Sequence, residues 1–131
     1  MSDTDREQLR SAPYVSLATF RKSGVPVPTP VWAAPDGDAL YVFSAGGAGK
    51  VKRLKRSSRA QVARCDVRGK LLGDWFEAEA CLVTDAEEIG RALAALRAKY
   101  GWQMVLADLG SRLTGKFDKR AYIRIQFSGT N

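Results

Sequence analysis

The stretch Ser44-Ala-Gly-Gly-Ala-Gly-Lys-Val-Lys-Arg-Leu-Lys-Arg56 directly follows an apolar run and has the pattern of a strand end, a glycine turn and a basic helix start. Backbone N–H groups at a helix N-terminus lack intrahelical partners, and glycine lets a ligand approach the backbone closely. Lys50 adds an ammonium group at the same place. Together these properties predict a site for a phosphate group at this turn.

The turn resembles the P-loop of nucleotide-binding proteins, but it departs from that motif at two positions. The P-loop needs glycine where Ser44 stands and serine or threonine where Val51 stands. Hydrolysis of nucleoside triphosphates is therefore not expected. On a helix, Arg53 lies about one turn beyond Lys50 and points the same way, so both can face one phosphate. The alternative is an ordinary flexible loop followed by a solvated basic helix.

The segment before this stretch predicts two strands joined by a turn. Residues 14–20 alternate as a half-buried strand does, and Gly24 supplies the turn. The following prolines at 26, 28 and 30 recur with a period of two, so an extended strand would lack N–H donors along one edge. That strand can form a ladder on its other side only. Its free edge then faces either solvent or a ligand.

The remaining pattern predicts four more strands and three helical segments. The strands cover residues 39–44, 59–67, 74–83 and 121–127, and residues 35–38 form a hairpin connection between strands. One helix runs from an Asp85 N-cap to a Gly101 stop, a short one covers 103–109, and the leader is helical around 6–11. Six strands in quick succession with one late helical interruption indicate an α+β, mostly β fold, a small antiparallel barrel.

Composition indicates one ordinary globular domain over residues 1–131, with residues 1–8 as a flexible leader. Hydrophobic residues make up 45% and charged residues 27% of the 131 residues. The polar, acidic start differs from a secretory signal, and the sequence contains no apolar run as long as a membrane span. We therefore expect a cytoplasmic protein with no membrane partner.

The absence of histidine is the strongest exclusion in the composition. It removes Ser-His-Asp and Cys-His catalysis and every metal site that uses histidine, and we expect no metal. Cys65 and Cys81 stand alone in apolar stretches and are expected to be buried thiols. The net charge of +7 indicates an anionic ligand or partner.

Aromatic side chains offer a second element of a ligand site. Trp32 and Trp75 fall in predicted strands, where an indole could either line a pocket for a flat ring or belong to the core. Trp102 is expected to pack within the helical region. No tyrosine or carboxylate is favoured by its spacing as a proton donor, so no catalytic residue is assigned.

The ordered motifs resemble one known family. They are a Ser-Leu-Ala-Thr strand, Gly-x-Pro-x-x-x-Pro-x-Trp, an Asp-Gly hairpin, an aromatic strand ending in Ser, and Gly-Lys-x-x-Arg-Leu. Their order is similar to that of the pyridoxamine 5′-phosphate oxidase-like split-barrel flavoproteins, including the deazaflavin-dependent oxidoreductases that use coenzyme F420. The resemblance covers about residues 9–127 and implies a six-stranded antiparallel split β-barrel, the FMN-binding split barrel, with flanking helices.

The resemblance also implies a cofactor site and a partner. Lys50 and Arg53 would bind the cofactor phosphate with help from Ser44, and the backbone of Pro30, Val31 and Trp32 would run beside the flat ring. The remaining positions assigned to cofactor binding are Gly49, Val51 and Trp75. The family implies a homodimer with two cofactor sites at its interface.

The function implied by this resemblance is hydride transfer between the deazaflavin coenzyme F420 and a small organic substrate, with the cofactor carrying the chemistry. An FMN-dependent oxidoreductase and a non-catalytic flavin- or deazaflavin-binding protein are the alternatives. Oxidation of pyridoxamine phosphate itself is not expected, because the substrate-binding histidine and arginine pattern of the oxidase is missing. Nucleic acid is not an expected partner, because the basic residues concentrate at one helix start and do not alternate with aromatics.

Overall fold

The computed structural model describes residues 1–116 and 119–127. The strands are β1 (Tyr14–Phe20), β2 (Pro26–Val31), β3 (Ala34–Asp36), β4 (Ala39–Ala45), β5 (Arg59–Cys65), β6 (Phe76–Val83) and β7 (Arg120–Phe127). The helices are α1 (Asp3–Ser11), α2 (Gly49–Arg56), α3 (Ala86–Tyr100) and α4 (Trp102–Leu113). One antiparallel seven-stranded sheet, in the order β2-β1-β5-β6-β7-β4-β3, curls into the α+β split-barrel fold that the sequence predicts.

The proline-rich strand β2 is an edge strand, as its pattern predicts. It pairs with β1 alone, and each proline faces a β1 residue: Pro26 faces Phe20, Pro28 faces Ala18 and Pro30 faces Ser16. Proline has no N–H, so the N–H groups that bond β1 come from the residues between the prolines. The unpaired edge of β2 is therefore the one on which prolines replace the N–H donors.

The sheet has one strand more than the six that the sequence predicts. The connection over residues 35–38 was expected to be a hairpin turn only, but Ala34–Asp36 pairs with β4, with Asp36 opposite Ala39. The reason is a tighter turn than expected: Gly37 has a φ of 59°, which glycine adopts without strain, so the reversal needs only Gly37 and Asp38. The residues before them remain extended and form β3.

Helix boundaries follow the local capping chemistry. Ser2 and Asp5 form a capping box, so α1 begins at Asp3 and includes most of the segment expected as a flexible leader. Helix α3 has the predicted Asp85 N-cap and Gly101 C-cap. Helix α4 continues past Gly110, which was expected to end the helical pattern, because its buried side chains Met104 and Asp108 hold it against the protein.

Two apolar clusters fill the structure. The first lies inside the curled sheet and includes Val15, Leu17, Val62 and Ile123. The second lies between the sheet and the α3 and α4 helices and includes Leu96, Tyr100 and Met104. Cys65 is buried as expected, and burial raises the pKa of its thiol, whereas Cys81 is only half-buried. Within the described residues no helix is long and apolar enough to span a membrane.

Candidate cofactor site

An open cavity of about 350 Å³ lies where the two ends of the sheet approach each other. Strands β2 and β4 lie near opposite edges of the sheet order, and its curl brings their last residues together. The cavity is lined by Tyr14, Pro30, Val31, Trp32, Phe43, Ser44, Lys50 and Ala107. The structure thus collects Pro30, Val31, Trp32, Ser44 and Lys50, all named from the sequence, in one place.

The N-terminus of α2 stands at this cavity without a cap. Its N-cap residue is Ala48, no side chain accepts a hydrogen bond from its first turn, and that turn contains no acidic residue. Helices α1 and α3 are both capped by a side-chain oxygen, from Ser2 and Asp85 respectively. An uncapped helix start presents N–H groups and a partial positive charge, which suit an anion.

Cations converge on the same helix start. Burial, and next the positive charge of Arg53, lower the pKa of Lys50. Burial also lowers the pKa of Arg53, followed by the charges of Arg21 and Arg56. Like charges gathered in this way repel one another, and a bound anion would relieve that repulsion. The electrostatics of the site therefore favour a phosphate.

Two glycines of the turn lie at close approaches, Gly46 to backbone and Gly49 to a side chain. A Cβ on Gly46 would collide with the backbone oxygen of Lys119, to which the N–H of Gly46 donates a hydrogen bond of 2.9 Å. A Cβ on Gly49 would lie 2.8 Å from Nη1 of Arg53. The guanidinium of Arg53 therefore folds back over the first turn of its own helix. Its Nε donates to Oγ1 of the buried Thr19 at 2.6 Å, which fixes this position.

The other predicted site residues lie outside the lining of the cavity. Gly49 is the first residue of the adjoining helix α2, and Arg53 lies one turn further along it. The Val51 side chain is 3% exposed and packs in the core, so only its backbone faces the turn, and its N–H donates to the oxygen of Ala48. Trp75 is half-buried in the segment before β6, which lies three strands from β2. A single chain does not bring Trp75 to this cavity.

Three lining residues were not named from the sequence: Tyr14, Phe43 and Ala107. Tyr14 begins β1 and Phe43 lies within β4. The alternation within each strand does not show that these two residues lie at the same cavity. Ala107 arrives from α4, far along the chain. Trp102, expected to pack within the helical region, is instead 70% exposed, because α4 begins with it on its outer face.

Trp32 forms an aromatic wall of the cavity. Its ring stacks on Tyr100 with a centroid distance of 4.7 Å and an interplanar angle of 13°. Its edge meets Phe43 at 6.2 Å and 67°. Such a wall suits a flat conjugated ring. In residues 1–116 and 119–127 no cluster of three or more His, Cys, Asp or Glu side chains could hold a metal ion.

Solved structures share this fold at low sequence identity. A conserved hypothetical protein, Rv2991 from Mycobacterium tuberculosis, aligns with a TM-score of 0.71 and 22% identity, over 98% of this chain and 81% of that one. The heme storage protein HutZ from Vibrio cholerae gives a TM-score of 0.69 and 14% identity, over 98% and 91%. The structure of an F420 reductase gives a TM-score of 0.60 and 18% identity, over 94% of this chain and 93% of that one. These likenesses show the fold.

No functionally curated protein matches the sequence. The sequence model of one family, described as pyridoxamine 5′-phosphate oxidase, matches residues 1–129. That match includes every strand and helix described above. The chain belongs to the pyridoxamine 5′-phosphate oxidase family.

Proposed function

We propose that this protein is an oxidoreductase that transfers hydride between the deazaflavin coenzyme F420 and a small organic substrate. The observation that carries the proposal is the cavity between Trp32 and Lys50, which joins an aromatic wall to the uncapped, cation-rich start of α2. A ligand with a flat ring at one end and a phosphate nearby fits both parts. The family includes proteins that handle flavin-type cofactors.

Different residues of the cavity would bind the phosphate and the ring of the ligand. The first N–H groups of α2, Lys50 and Arg53 would hold the phosphate, since charged donors at a helix start bind anions strongly. Trp32 and the backbone beside Pro30 would hold the ring, because the proline edge has no N–H donor that would need a partner there. When bound, the deazaflavin supplies or accepts the hydride. The protein's part is to bind the ring, orient it and leave one face open to substrate.

FMN is the alternative cofactor, because it shares the flat ring and the phosphate. The net charge of +7 favours F420, whose polyglutamate tail adds negative charge, since a basic surface attracts polyanions. A non-catalytic cofactor-binding protein would use the same residues. HutZ is named as a heme storage protein. This sequence contains no histidine, so it has no histidine side chain that could ligate a haem iron.

We also propose a homodimer, with a second copy covering the outer face of α4. That face is formed by large apolar side chains that are each more than half exposed: Trp102, Val105, Leu106, Leu109 and Leu113. They repeat with helical spacing, so they form one continuous stripe. Exposed stripes of this kind mark interaction surfaces. Because Ala107 of the same helix lines the cavity, a dimer through α4 would place the two cofactor sites beside the interface.

A cytoplasmic location is part of the proposal. Both cysteines are free thiols, which fits a reducing compartment.

The decisive experiment is a parallel titration of the purified protein with coenzyme F420 and with FMN, followed by ligand fluorescence. Preferential micromolar or tighter binding of F420 supports the proposal. Preference for FMN moves the protein to the alternative cofactor, and binding of neither contradicts the function. Turnover is then tested by mixing the protein with reduced F420 and a panel of activated alkenes. Binding without cofactor oxidation would indicate the non-catalytic alternative.

A further inference from the structure

The corner between β2 and β3 carries the aromatic wall but belongs to neither strand. Trp32 and Ala33 stand between Val31, where β2 ends, and Ala34, where β3 begins. Ala33 is fully buried, so its backbone polar groups must find partners away from water. These partners come from the last two residues of α3, Lys99 and Tyr100.

Tyr100 contacts this corner through both its hydroxyl and its ring. The hydroxyl accepts a hydrogen bond from the N–H of Ala33 at 3.0 Å and donates to the oxygen of Pro13 at 2.9 Å. The ring stacks against the indole of Trp32. The backbone after Trp32 and one face of its side chain are therefore held by the same residue.

Lys99 adds a second connection to the same corner. Its Nζ donates to the oxygens of Arg10 at 2.9 Å, Ala12 at 2.7 Å and Ala33 at 2.5 Å. An ammonium group has three protons, so these bonds use all of them. Arg10 and Ala12 lie at the C-terminal end of α1, where the carbonyl groups carry partial negative charge. Lys99 thus ties α1, the corner and α3 together.

We infer that Lys99 and Tyr100 are positioning residues that hold Trp32 as a rigid wall of the cofactor cavity. Neither residue lines the cavity, so both act through Trp32. A site whose walls are already fixed loses less side-chain entropy on binding than one whose walls must order. The contact between Trp32 and a cofactor ring rests on the proposed function. The rigidity of the Trp32 side chain can be measured without any cofactor.

The test uses a chain in which Trp32 is the single tryptophan. The sequence has three tryptophans, and the changes W75F and W102F remove the two that lie outside the cavity. In this background we compare Y100L, Y100F and K99M by the time-resolved fluorescence anisotropy of Trp32 in the free protein. The matched control is Y122L, since Tyr122 is 6% exposed in the same apolar cluster and has no stacking contact with Trp32.

We expect Y100L to add a fast depolarisation of Trp32 and to weaken binding of the preferred cofactor, FMN or F420, about tenfold. Y100F keeps the ring stacked on Trp32 but loses the hydroxyl. Y100F and K99M should each give a smaller depolarisation of Trp32 and a smaller loss of cofactor affinity than Y100L. Y122L should destabilise the fold while leaving the Trp32 anisotropy unchanged. If Y100L does not fold, the Trp32 anisotropy of Y100F and K99M tests the inference.

An unchanged Trp32 anisotropy in all the folded variants would overturn the inference even if a cofactor binds. A response of Trp32 with no binding of either cofactor would instead overturn the proposed function alone.

Discussion

The guanidinium of Arg53 lies over Gly49, four residues earlier in the same helix, so closely that a Cβ on Gly49 would be 2.8 Å from Nη1. The absence of a side chain at Gly49 therefore lets the guanidinium of Arg53, one turn further along α2, cover the helix start. In the proposed function, the N–H groups of the helix start and this guanidinium would bind the same phosphate. Gly49 therefore leaves the space that the Arg53 guanidinium occupies.

We expect G49A to weaken binding of FMN or F420 about threefold to tenfold, because the new methyl group displaces Arg53 from the phosphate position. The free energy of unfolding should not fall, since alanine is favoured over glycine in a helix by about 1 kcal/mol. G47A is the matched control, because a Cβ at Gly47 meets nothing within 4 Å. Equal affinities of G49A and G47A would argue against a role of Arg53 at the phosphate.

Lys50 should contribute more than any other lysine of α2. A hydrogen bond to a charged group is worth about 1.5–3 kcal/mol, so K50A should weaken cofactor binding at least tenfold. K55A removes an exposed lysine from the same helix and should change the affinity less than twofold at moderate salt. Isothermal titration of both variants gives the comparison. Equal losses would mean that only the general positive charge of α2 matters.

The sequence predicted the parts of this site that depend on local chemistry. The glycines before Lys50 indicated a helix start, which the structure has at Gly49, and the prolines at 26, 28 and 30 identified an edge strand without the rest of the sheet. Capping chemistry likewise fixed both ends of α3 at Asp85 and Gly101. In each case the residues that decide the structure lie within a few positions of one another.

The parts that were missed depend on the curl of the sheet. Tyr14 and Phe43 reach the cavity because β1 and β4 approach across the open side of the barrel, and no periodicity within either strand reports that approach. Trp75 shares the residue type of Trp32 but directly precedes β6, and the sheet order separates β6 from β2. A residue type can therefore suggest stacking, while only the topology decides which aromatic residue lines the cavity.

Asp108 should be the most important single charge for the stability of α4. Its carboxylate accepts from Arg97 at 3.0 Å and from Arg120 at 2.8 Å, and the Arg120 side chain is only 4% exposed. D108A removes two charge-assisted hydrogen bonds, one of them to a buried guanidinium, and should lower the free energy of unfolding by about 2 kcal/mol. D36A removes an exposed ion pair to Arg91 at 3.8 Å and should cost less than about 1 kcal/mol. Urea unfolding measures both, and similar losses would contradict the assignment.

Lys99 predicts a pH dependence of stability. Burial lowers the pKa of Lys99 to about 8 from 10.5, so above pH 8 the folded protein releases a proton that the unfolded chain keeps. The free energy of unfolding should therefore rise between pH 8 and 9.5, by about 1 kcal/mol once the partial solvation of the amine is considered.

The wild-type protein and K99M are compared by urea unfolding at pH 7, 8 and 9.5. The rise should be absent in K99M, because the titrating group has been removed. Parallel curves for the two proteins would show that Lys99 does not titrate in this range.

The apolar stripe on α4 predicts the effect of a charge on assembly. Leu106 is 57% exposed in a single chain and lies in the middle of the stripe. If a second copy covers it, L106E buries a carboxylate in an apolar interface without a partner and should convert the dimer to a monomer at micromolar concentration. V67E introduces the same charge at a residue that is 60% exposed in the connection between β5 and β6, and it should leave the mass unchanged. Light scattering coupled to size exclusion measures the mass of each variant. A dimer that survives L106E would place the interface elsewhere, and a monomeric wild type would contradict the proposed homodimer.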